Sequence, residues 1–191
     1  GTGTIDNGGF LLTVTQAAGQ TFSGVISGTG GLTKSGAAVL TLSGANTYTG
    51  PTVIDAGTVN FNGVNTGASA VTVNGAGTKL AGTGTIPGSV TMNAGTILAP
   101  GGNNGDLVGT LTINGNVTFN GASKYMVTMT GGAVDRIVAL AALTAGGLAG
   151  DPRIEMQGGY STAGVALPAP VITVAGLYTP FNPGSDRKSV V

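Results

Sequence analysis

The sequence predicts an all-β fold, a parallel β-helix (β-solenoid) with roughly 20 residues in each coil. The phrase I-D-A-G-T-V at Ile54–Val59 returns in looser form at Val73–Leu80 and Met92–Ile97, with a weaker echo at Ile113–Phe119. Each copy joins two short apolar segments through an Asp or Asn and a turn of small residues. A strand-bearing repeat of about twenty residues is typical of a stacked solenoid.

The Asp and Asn positions of the repeat predict a column of stacked side chains at one corner of the coils. They recur at nearly even spacing, about twenty residues apart, at Asp55, Asn74, Asn93 and Asn114. Stacked carboxamides hydrogen bond along such a column, and we expect Asp55 to be its least secure rung because it departs from amide stacking. Glycine adopts the positive φ of sharp turns without strain. The predicted turn glycines are Gly57, Gly77 and Gly95.

Alternating or β-branched apolar runs, bounded by Gly and Asn, predict the strands in chain order. The segments are Phe10–Thr15, Phe22–Ser27, a short strand within Gly28–Gly36, Val39–Ser43, Thr52–Ile54, Thr58–Asn62, Val71–Val73, Thr78–Ala81, Val90–Met92, Thr96–Ala99, Leu111–Ile113 and Val117–Phe119. Ala133–Ala145 has helix propensity, but we favour strand because Arg136–Leu140 alternates and glycines bound the stretch. From Gly150 the pattern fades, apart from a strand candidate at Pro170–Ala175.

The composition excludes several classes of function. The 191 residues include 37 Gly, seven basic and seven acidic residues, and neither Cys nor His. Without a basic patch, nucleic-acid binding has no support. The absence of Cys excludes disulfides and thiolate chemistry, and the absence of His removes the commonest general base and transition-metal ligand. No apolar run is long enough for a transmembrane helix.

The two ends of the sequence differ from an ordinary complete protein. The chain begins at Gly1 without Met or a signal-peptide pattern, so we expect a piece of something longer. Asp186–Val191 reads D-R-K-S-V-V after a well-patterned protein. We expect this terminal stretch to be a sequencing-adapter artefact or a disordered tail.

One segment carries a family signature. Val25–Gly63 reads VISGTGGLTKSGAAVLTLSGANTYTGPTVIDAGTVNFNG. It resembles the passenger-associated repeat of bacterial autotransporters, G-x-G-x-L-T-K-x-G-x-G-x-L-x-L-x-G-x-N-T-Y-x-G-x-T-x-I-x-x-G-T-L. Two mild departures are Ala38 for Gly and Val59 for Leu. The matching positions are Gly28, Gly30, Leu32, Thr33, Lys34, Gly36, Leu40, Leu42, Gly44, Asn46, Thr47, Tyr48, Gly50, Thr52, Ile54, Gly57 and Thr58.

The resemblance extends beyond this repeat. Thr96–Thr112 resembles the family's A-P-G segment with Asn103–Val108 as an insertion, and Gly115–Leu140 resembles a strand pair near the passenger's C-terminal end. Residues 1–147 are covered, whereas 148–185 match poorly and are expected to form less regular coils. The resemblance implies a secreted or surface-exposed, right-handed β-helix. It also implies anchoring to a Gram-negative outer membrane through a downstream β-barrel that this sequence does not contain.

No metal or cofactor site is predicted. Gly101–Gly109 (G-G-N-N-G-D-L-V-G) is close to the calcium-binding nonapeptide G-G-x-G-x-D-x-U-x but departs from it at Asn104. Calcium binding in such repeats needs tandem copies, because one turn supplies only half of the oxygen ligands. The sequence has no second copy, so the A-P-G loop interpretation is favoured.

No catalytic residue is predicted either. Polysaccharide-active β-helix enzymes need clustered carboxylates, or an Arg or Lys base beside bound calcium. The carboxylates here are scattered, without a pair that would share a site, and Asp135–Arg136 is interpreted as a surface or turn contact. The candidates considered were Asp6, Asp55, Asp106, Asp135, Asp151 and Glu155.

Two further patterns have ordinary structural interpretations. Tyr48 and Tyr125 are the aromatic residues before 150 with a conceivable exposed role, but core or turn packing is favoured for both. Threonine occupies alternating positions, and flat Thr arrays on solenoids bind ice. Without T-x-T repeats in strict register, we favour the interpretation that Thr is simply a good strand former.

The sequence therefore predicts a structural stalk and not an enzyme. Such a stalk would display N-terminal elements and template passenger folding, with residues 90–147 as the most stable part. The first alternative is an adhesin segment whose partner is a glycan or matrix ligand on the host-cell surface. A polysaccharide-active enzyme is a more distant alternative.

Overall fold

In the computed structural model, residues 1–102, 108–130, 133–134, 136–139, 143–145, 153–157 and 172–174 are described. Every regular element within them is a β-strand. The strands are β1 Thr4–Asp6, β2 Leu12–Thr15, β3 Gln20–Phe22, β4 Val25–Ser27, β5 Leu32–Ser35, β6 Val39–Leu42, β7 Thr52–Ile54, β8 Thr58–Phe61, β9 Val71–Val73, β10 Lys79–Gly82, β11 Thr85–Ile86, β12 Val90–Met92, β13 Ile97–Pro100, β14 Thr110–Ile113, β15 Val117–Phe119, β16 Lys124–Thr130, β17 Ala133–Val134, β18 Arg136–Ala139, β19 Leu143–Ala145, β20 Arg153–Gln157 and β21 Ile172–Val174.

The strands stack into a parallel β-solenoid, as predicted. Sheet 1 contains β2, β5, β7, β9, β12, β15 and β19, whereas sheet 2 contains β3, β6, β8, β10, β13, β16 and β20. The antiparallel strand β17 lies beside β16. The third face is divided into a sheet of β1 and β4 and a sheet of β11, β14, β18 and β21. Each coil passes from sheet 1 to sheet 2, then to the third face, and back to sheet 1.

Strand register gives the length of each coil. Leu32 lies opposite Thr52, Thr52 opposite Val71, and Val71 opposite Val90, so these coils contain 20, 19 and 19 residues. Val90 lies opposite Val117, and that coil contains 27 residues. The extra residues come between β13 and β14, where the predicted insertion lies.

Most predicted strands lie where the sequence pattern placed them. The boundaries of β7, β9, β12 and β15 agree residue for residue. The segment Phe22–Ser27, predicted as one strand, is divided because the chain turns a corner at Ser23 and Gly24. Apolar residues continue on both sides of this corner, so alternation alone does not reveal it.

The C-terminal predictions have a mixed outcome. Ala133–Ala145 contains β17, β18 and β19, so the strand interpretation is confirmed and the helical alternative is wrong. β21 lies within the predicted Pro170–Ala175 segment, whereas β20 occurs where the sequence pattern fades. The remaining positions of 148–185, and all of 186–191, lie outside the described residues.

The core consists of inward side chains stacked coil upon coil. On sheet 2 one such column contains Leu40, Val59, Leu80, Leu98 and Tyr125 in register. Complete burial of an aliphatic or aromatic side chain contributes about 1.5–3 kcal/mol. Because each coil covers the next, stability comes from contacts between neighbouring coils.

Candidate functional site

The predicted corner column is a hydrogen-bonded ladder between sheets 1 and 2. Asn74 Nδ2 donates to Asp55 Oδ1 over 2.9 Å, and Asn93 Nδ2 donates to Asn74 Oδ1 over 2.7 Å. Asn120 Nδ2 donates to Asn93 Oδ1 over 3.1 Å. All three bonds run in the same direction along the axis. Asp55 accepts at the end of the series, which suits a carboxylate because it only accepts. We call Asp55, Asn74, Asn93 and Asn120 the corner ladder.

The prediction that Asn114 forms the fourth rung is wrong. Asn114 is exposed and follows β14 on the third face, where its backbone N–H donates to Ile86 O over 2.9 Å. Asn120 takes the fourth place because the coil between Asn93 and Asn120 contains 27 residues. Counting the predicted insertion into the period, and aligning V-T-M-N with V-T-F-N, would have identified Asn120.

The polar column extends further than the sequence indicated. Thr15 lies opposite Ser35, and their hydroxyl oxygens share a hydrogen bond of 2.8 Å. Because Lys34 pairs with Ile54, the next residues, Ser35 and Asp55, are neighbours in the same column. No shared residue type connects Thr, Ser, Asp and Asn in the sequence, so only the register reveals six consecutive polar rungs.

The predicted turn glycines adopt left-handed backbone conformations at this corner. The φ angles of Gly57, Gly77 and Gly95 are 74°, 80° and 76°. A Cβ on Gly57 would also approach Ala38 O to 2.6 Å, whereas a Cβ on Gly77 would meet nothing within 4 Å. Gly57 is therefore required for conformation and space, and Gly77 for conformation alone.

A different set of glycines lines the corner between sheet 2 and the third face. A Cβ on each would come within 1.8–2.1 Å of a backbone carbonyl oxygen in the preceding coil. These positions have no room for any side chain, so the coils stack with their backbones in close approach. The set comprises Gly24, Gly44, Gly63 and Gly84.

Asn46 supplies a hydrogen-bond partner where the third face lacks a strand. The residue is buried, and its Oδ1 accepts from Ile26 N over 2.9 Å. Its Nδ2 donates to Asn65 Oδ1 over 3.0 Å in the following coil. The side chain thus takes the place of a backbone carbonyl beside β4 and joins three successive coils.

A second buried polar chain lies at the neighbouring corner. The hydroxyl oxygen of Tyr48 lies 2.6 Å from Thr52 Oγ1, which lies 3.1 Å from Ser69 Oγ. Burial raises the pKa of Tyr48, while its side-chain hydrogen bonds oppose that shift. Tyr48 and Tyr125 are only 2% and 3% exposed, so the predicted core packing of both is confirmed.

Lys34 is fully buried within the inward column of sheet 1. It pairs with Val14 in the preceding coil and Ile54 in the following coil. Its Nζ donates to Gly36 O over 2.5 Å, with longer bonds of 3.4 Å to Ala56 O and 3.5 Å to Ser35 O. Burial lowers the pKa of Lys34. The ammonium therefore donates hydrogen bonds to carbonyl groups at the corner and is shielded from solvent.

The described carboxylates have structural partners. Asp6 Oδ1 accepts from Gly8 N over 2.9 Å, and Asp55 belongs to the corner ladder. Within the described part of the chain, no three acidic, His or Cys side chains are grouped to hold a metal ion. The central positions 103–107 of the calcium-like nonapeptide, with Asp106, lie outside that part. So do Asp135, Asp151 and the side chain of Glu155.

Comparison with known families identifies the repeat. A sequence model described as the passenger-associated-transport repeat matches residues 32–61. The chain carries an autotransporter passenger repeat. The match contains Lys34, Asn46 and Tyr48, each of which has a buried structural partner. The repeat signature therefore corresponds to side chains that hold coils together.

Two curated proteins are similar to the chain. The adhesin BmaC autotransporter of Brucella suis biovar 1 (strain 1330) is 37% identical over 111 residues, which is 52% of this chain and 3% of the adhesin. The extracellular serine protease of Serratia marcescens is 38% identical over 136 residues, which is 71% of this chain and 12% of the protease. The chain thus spans a small part of either relative. Within the described residues, no helix is long and apolar enough to cross a membrane.

Proposed function

We propose that this segment is a β-helical stalk of a secreted or surface-exposed autotransporter. It displays N-terminal elements of a longer protein, which an outer-membrane β-barrel in the same chain anchors to a Gram-negative cell. The observation that carries the proposal is the internal use of the repeat signature. Asn46, Tyr48 and Lys34 make buried contacts between coils and are not directed at an external ligand.

We propose no enzymatic role for this segment. The two described carboxylates, Asp6 and Asp55, are used in a turn and in the corner ladder. Asp6 lies at the end of β1 on the third face, whereas Asp55 follows β7 in sheet 1. The Serratia relative is named a protease, but the matched region covers 12% of it. We therefore assign catalysis, where such a passenger has it, to other parts of the longer protein.

The stacking of the coils suits an extended stalk. Each coil adds about 4.8 Å along the axis through parallel strand pairing. Inward columns such as Leu40, Val59 and Leu80 continue without a polar interruption on sheet 2. Length is thus set by the number of coils, and each coil is supported by its neighbours.

We further propose that the C-terminal coils template the folding of the others. A solenoid propagates from any stable coil by contacts between neighbours. On the third face, β11, β14, β18 and β21 pair continuously, whereas, among the described strands, β4 pairs only with β1 and is followed by coils without a third-face strand until β11. Residues 90–147 are therefore expected to open last.

Native-state hydrogen exchange tests the folding proposal. Amides in 90–147 should exchange more slowly than those in 25–63, because local opening free energies follow packing and pairing. Slower exchange in 25–63 would contradict the template role. It would leave the stalk role untouched, because a stalk folds from either end.

The alternative function is direct adhesion, which the similarity to the Brucella adhesin favours. In that case this surface itself would contact host glycan or matrix. The immobilised chain should not retain host cells above the level of heat-denatured chain if it is purely a stalk. Saturable adhesion that soluble chain competes away would overturn the stalk assignment.

A further inference from the structure

The outer face of sheet 1 presents a column of threonines in strict register. Successive coils place these side chains opposite one another along the axis, with one valine among them. All are partly or fully exposed to solvent. The column, which we call the Thr column, comprises Thr13, Thr33, Val53, Thr72, Thr91 and Thr118.

A second polar row runs beside the Thr column on the same face. It lies two residues further along each strand and consists of Thr15, Ser35 and the corner ladder. Each coil therefore displays one pair, Thr or Val followed two residues later by Thr, Ser, Asp or Asn. Within the two rows only Thr13 and Thr15 form a T-x-T pair, as expected from the sequence, but the threonines of the Thr column are themselves in strict register. The pairs recur after 20, 20, 19, 19 and 27 residues, so their alignment is hidden in the sequence.

The two rows form a rigid lattice. Neighbouring rungs lie about 4.8 Å apart along the axis, and the two rows are about 6.6 Å apart across it. Thr and Val are branched at Cβ and hold few χ1 conformations. In the second row, hydrogen bonds of 2.7–3.1 Å hold the amides of Asn74, Asn93 and Asn120 in place. The array is thus ordered before any ligand arrives, which lowers the entropic cost of binding.

The side chains of this face favour an uncharged partner with a periodic surface. Hydroxyl and carboxamide groups both donate and accept, and Asp55 is the single charged member of the two rows. Neither row contains an aromatic residue for stacking on a sugar ring. Ligand sites for small molecules are concave, whereas this face is the outside of a parallel sheet. The surface of a solid lattice of water is uncharged and periodic, and it needs neither an aromatic side chain nor a concave site to bind.

We propose that the outer face of sheet 1 binds the surface of ice crystals, an activity beyond the stalk role. The water molecules on a crystal face of ice also repeat periodically in two directions. The Thr methyl groups order the first water shell, and the hydroxyl and amide groups hydrogen bond to it. Val53 keeps the methyl shape of its column and lacks only the hydroxyl.

The outer face of sheet 2 offers a matched internal control. Its column begins with Thr21, Thr41 and Asn60 and continues with Ala81 and Ala99. Ala81 and Ala99 are buried in a small apolar cluster, so this face has no continuous polar array. Thr41 is a half-buried, outward threonine of the same kind as Thr91.

Thermal hysteresis and inhibition of ice recrystallisation by the unmodified chain test the proposal. Thr91→Lys should abolish both activities, because a long charged side chain in the middle of the array holds ice away. Thr41→Lys should retain both. Circular dichroism and melting of each variant establish that it is folded. Equal losses in the two variants, or no activity in the unmodified chain, would overturn the proposal.

A gain-of-function variant keeps the test independent of damage to the fold. Val53→Thr restores the missing hydroxyl in the Thr column and should increase thermal hysteresis. An unchanged or lower activity in folded Val53→Thr would contradict the lattice assignment. Affinity electrophoresis against neutral polysaccharides provides the other arm. Retardation that Thr91→Lys removes, in a chain without thermal hysteresis, would assign the face to a glycan and overturn ice binding.

Discussion

Sheets 1 and 2 each hold seven parallel strands in continuous register, whereas the third face is divided into sheets of two and four strands. On sheets 1 and 2 the backbone supplies the ladder of hydrogen bonds. On the third face, between β4 and β11, Asn46 accepts from Ile26 N, and an isolated bridge joins Val64 to Thr85. The comparison shows that Asn46, a polar signature residue of the repeat, lies where the regular strand pairing of the third face is interrupted.

The energetics explain this distribution. A buried N–H without an acceptor destabilises a protein by about 1–3 kcal/mol. Asn46 removes this cost for Ile26 and extends the connection to Asn65. On the continuous sheets the corner ladder is an addition to complete backbone pairing. Removal of a rung of the corner ladder should therefore lower the free energy of unfolding less than removal of Asn46.

The largest effect is expected from Gly44→Ala at the third-face corner. The added Cβ would lie 1.8 Å from Gly24 O, a backbone atom fixed in the stack. We expect destabilisation of about 3 kcal/mol or more, or failure to fold, since overpacking against backbone cannot relax. Urea denaturation, monitored by circular dichroism, measures the loss in the free energy of unfolding.

Gly77→Ala at the corner of sheets 1 and 2 is the matched control. Its φ of 80° strains alanine, but no atom lies within 4 Å of the new Cβ. The expected loss is about 1–2 kcal/mol. Equal losses in the two variants would refute the claim that the two corners differ in available space.

Asn46→Leu should have the next largest effect. It leaves Ile26 N and Asn65 Oδ1 without their buried partner, for a loss of about 3 kcal/mol in the free energy of unfolding. Asn74→Ala, in the half-buried corner ladder, should lose only about 1 kcal/mol. If Asn74→Ala lowered the free energy of unfolding more than Asn46→Leu, the account would be wrong. Asn46 would then not replace a missing backbone acceptor, and the corner ladder would be more than an addition to complete backbone pairing.

A smaller effect separates Asn120 from Asn114. Asn120→Ala removes a 3.1 Å bond to Asn93 and should lose about 1 kcal/mol. Asn114→Ala changes an exposed residue outside the ladder and should stay within about 0.5 kcal/mol of the unmodified chain. Thermal melting of both variants shows which residue belongs to the ladder. A larger loss of stability in Asn114→Ala than in Asn120→Ala would assign the fourth rung to Asn114.

The smallest effect concerns pH and Lys34. Burial places its folded-state pKa below the unfolded one, so the unfolded chain binds more protons in the window between them. Stability therefore rises with pH on approach to the ordinary lysine pKa. Tyr48 titrates with the opposite sign at higher pH, because its folded-state pKa is raised.

Denaturation of the unmodified chain and of Lys34→Met between neutral pH and mildly alkaline pH isolates the lysine. The stability difference between the two should shift in favour of the unmodified chain as pH rises. The Tyr48 contribution cancels because both chains contain it. A difference that is constant with pH would show that the Lys34 ammonium is not destabilised by burial.

Local patterns in the sequence predicted much of this fold. β-Branched runs such as Val71–Val73 define strands wherever turn residues bound them. The fourth rung of the ladder was missed because the insertion after β13 lengthens that coil to 27 residues, so the regular spacing of about twenty residues pointed to Asn114 instead of Asn120. The corner at Gly24 was missed because its cause is a contact with Gly3 in another coil.

The surface of sheet 1 illustrates what sequence alone cannot give. Thr72, Thr91 and Thr118 are ordinary strand residues until register aligns them. Likewise, nothing adjacent to Asn46 reveals that its partner is Ile26 in the preceding coil. The alignment of the threonines and the contact of Asn46 with Ile26 both depend on pairing between residues far apart in the sequence. The repeat phrase indicates only local structure.

The central claim is that each coil is a complete unit held by its neighbours. Val71 lies opposite Val90, so removal of residues 71–89 deletes one whole coil and joins equivalent positions. This variant should retain β-sheet circular dichroism and a cooperative unfolding transition. Removal of residues 71–79 deletes β9 and the following corner, so that the chain passes directly into β10 without a sheet 1 strand, and should abolish that transition. Loss of cooperativity in both variants, or its retention in both, would contradict the account.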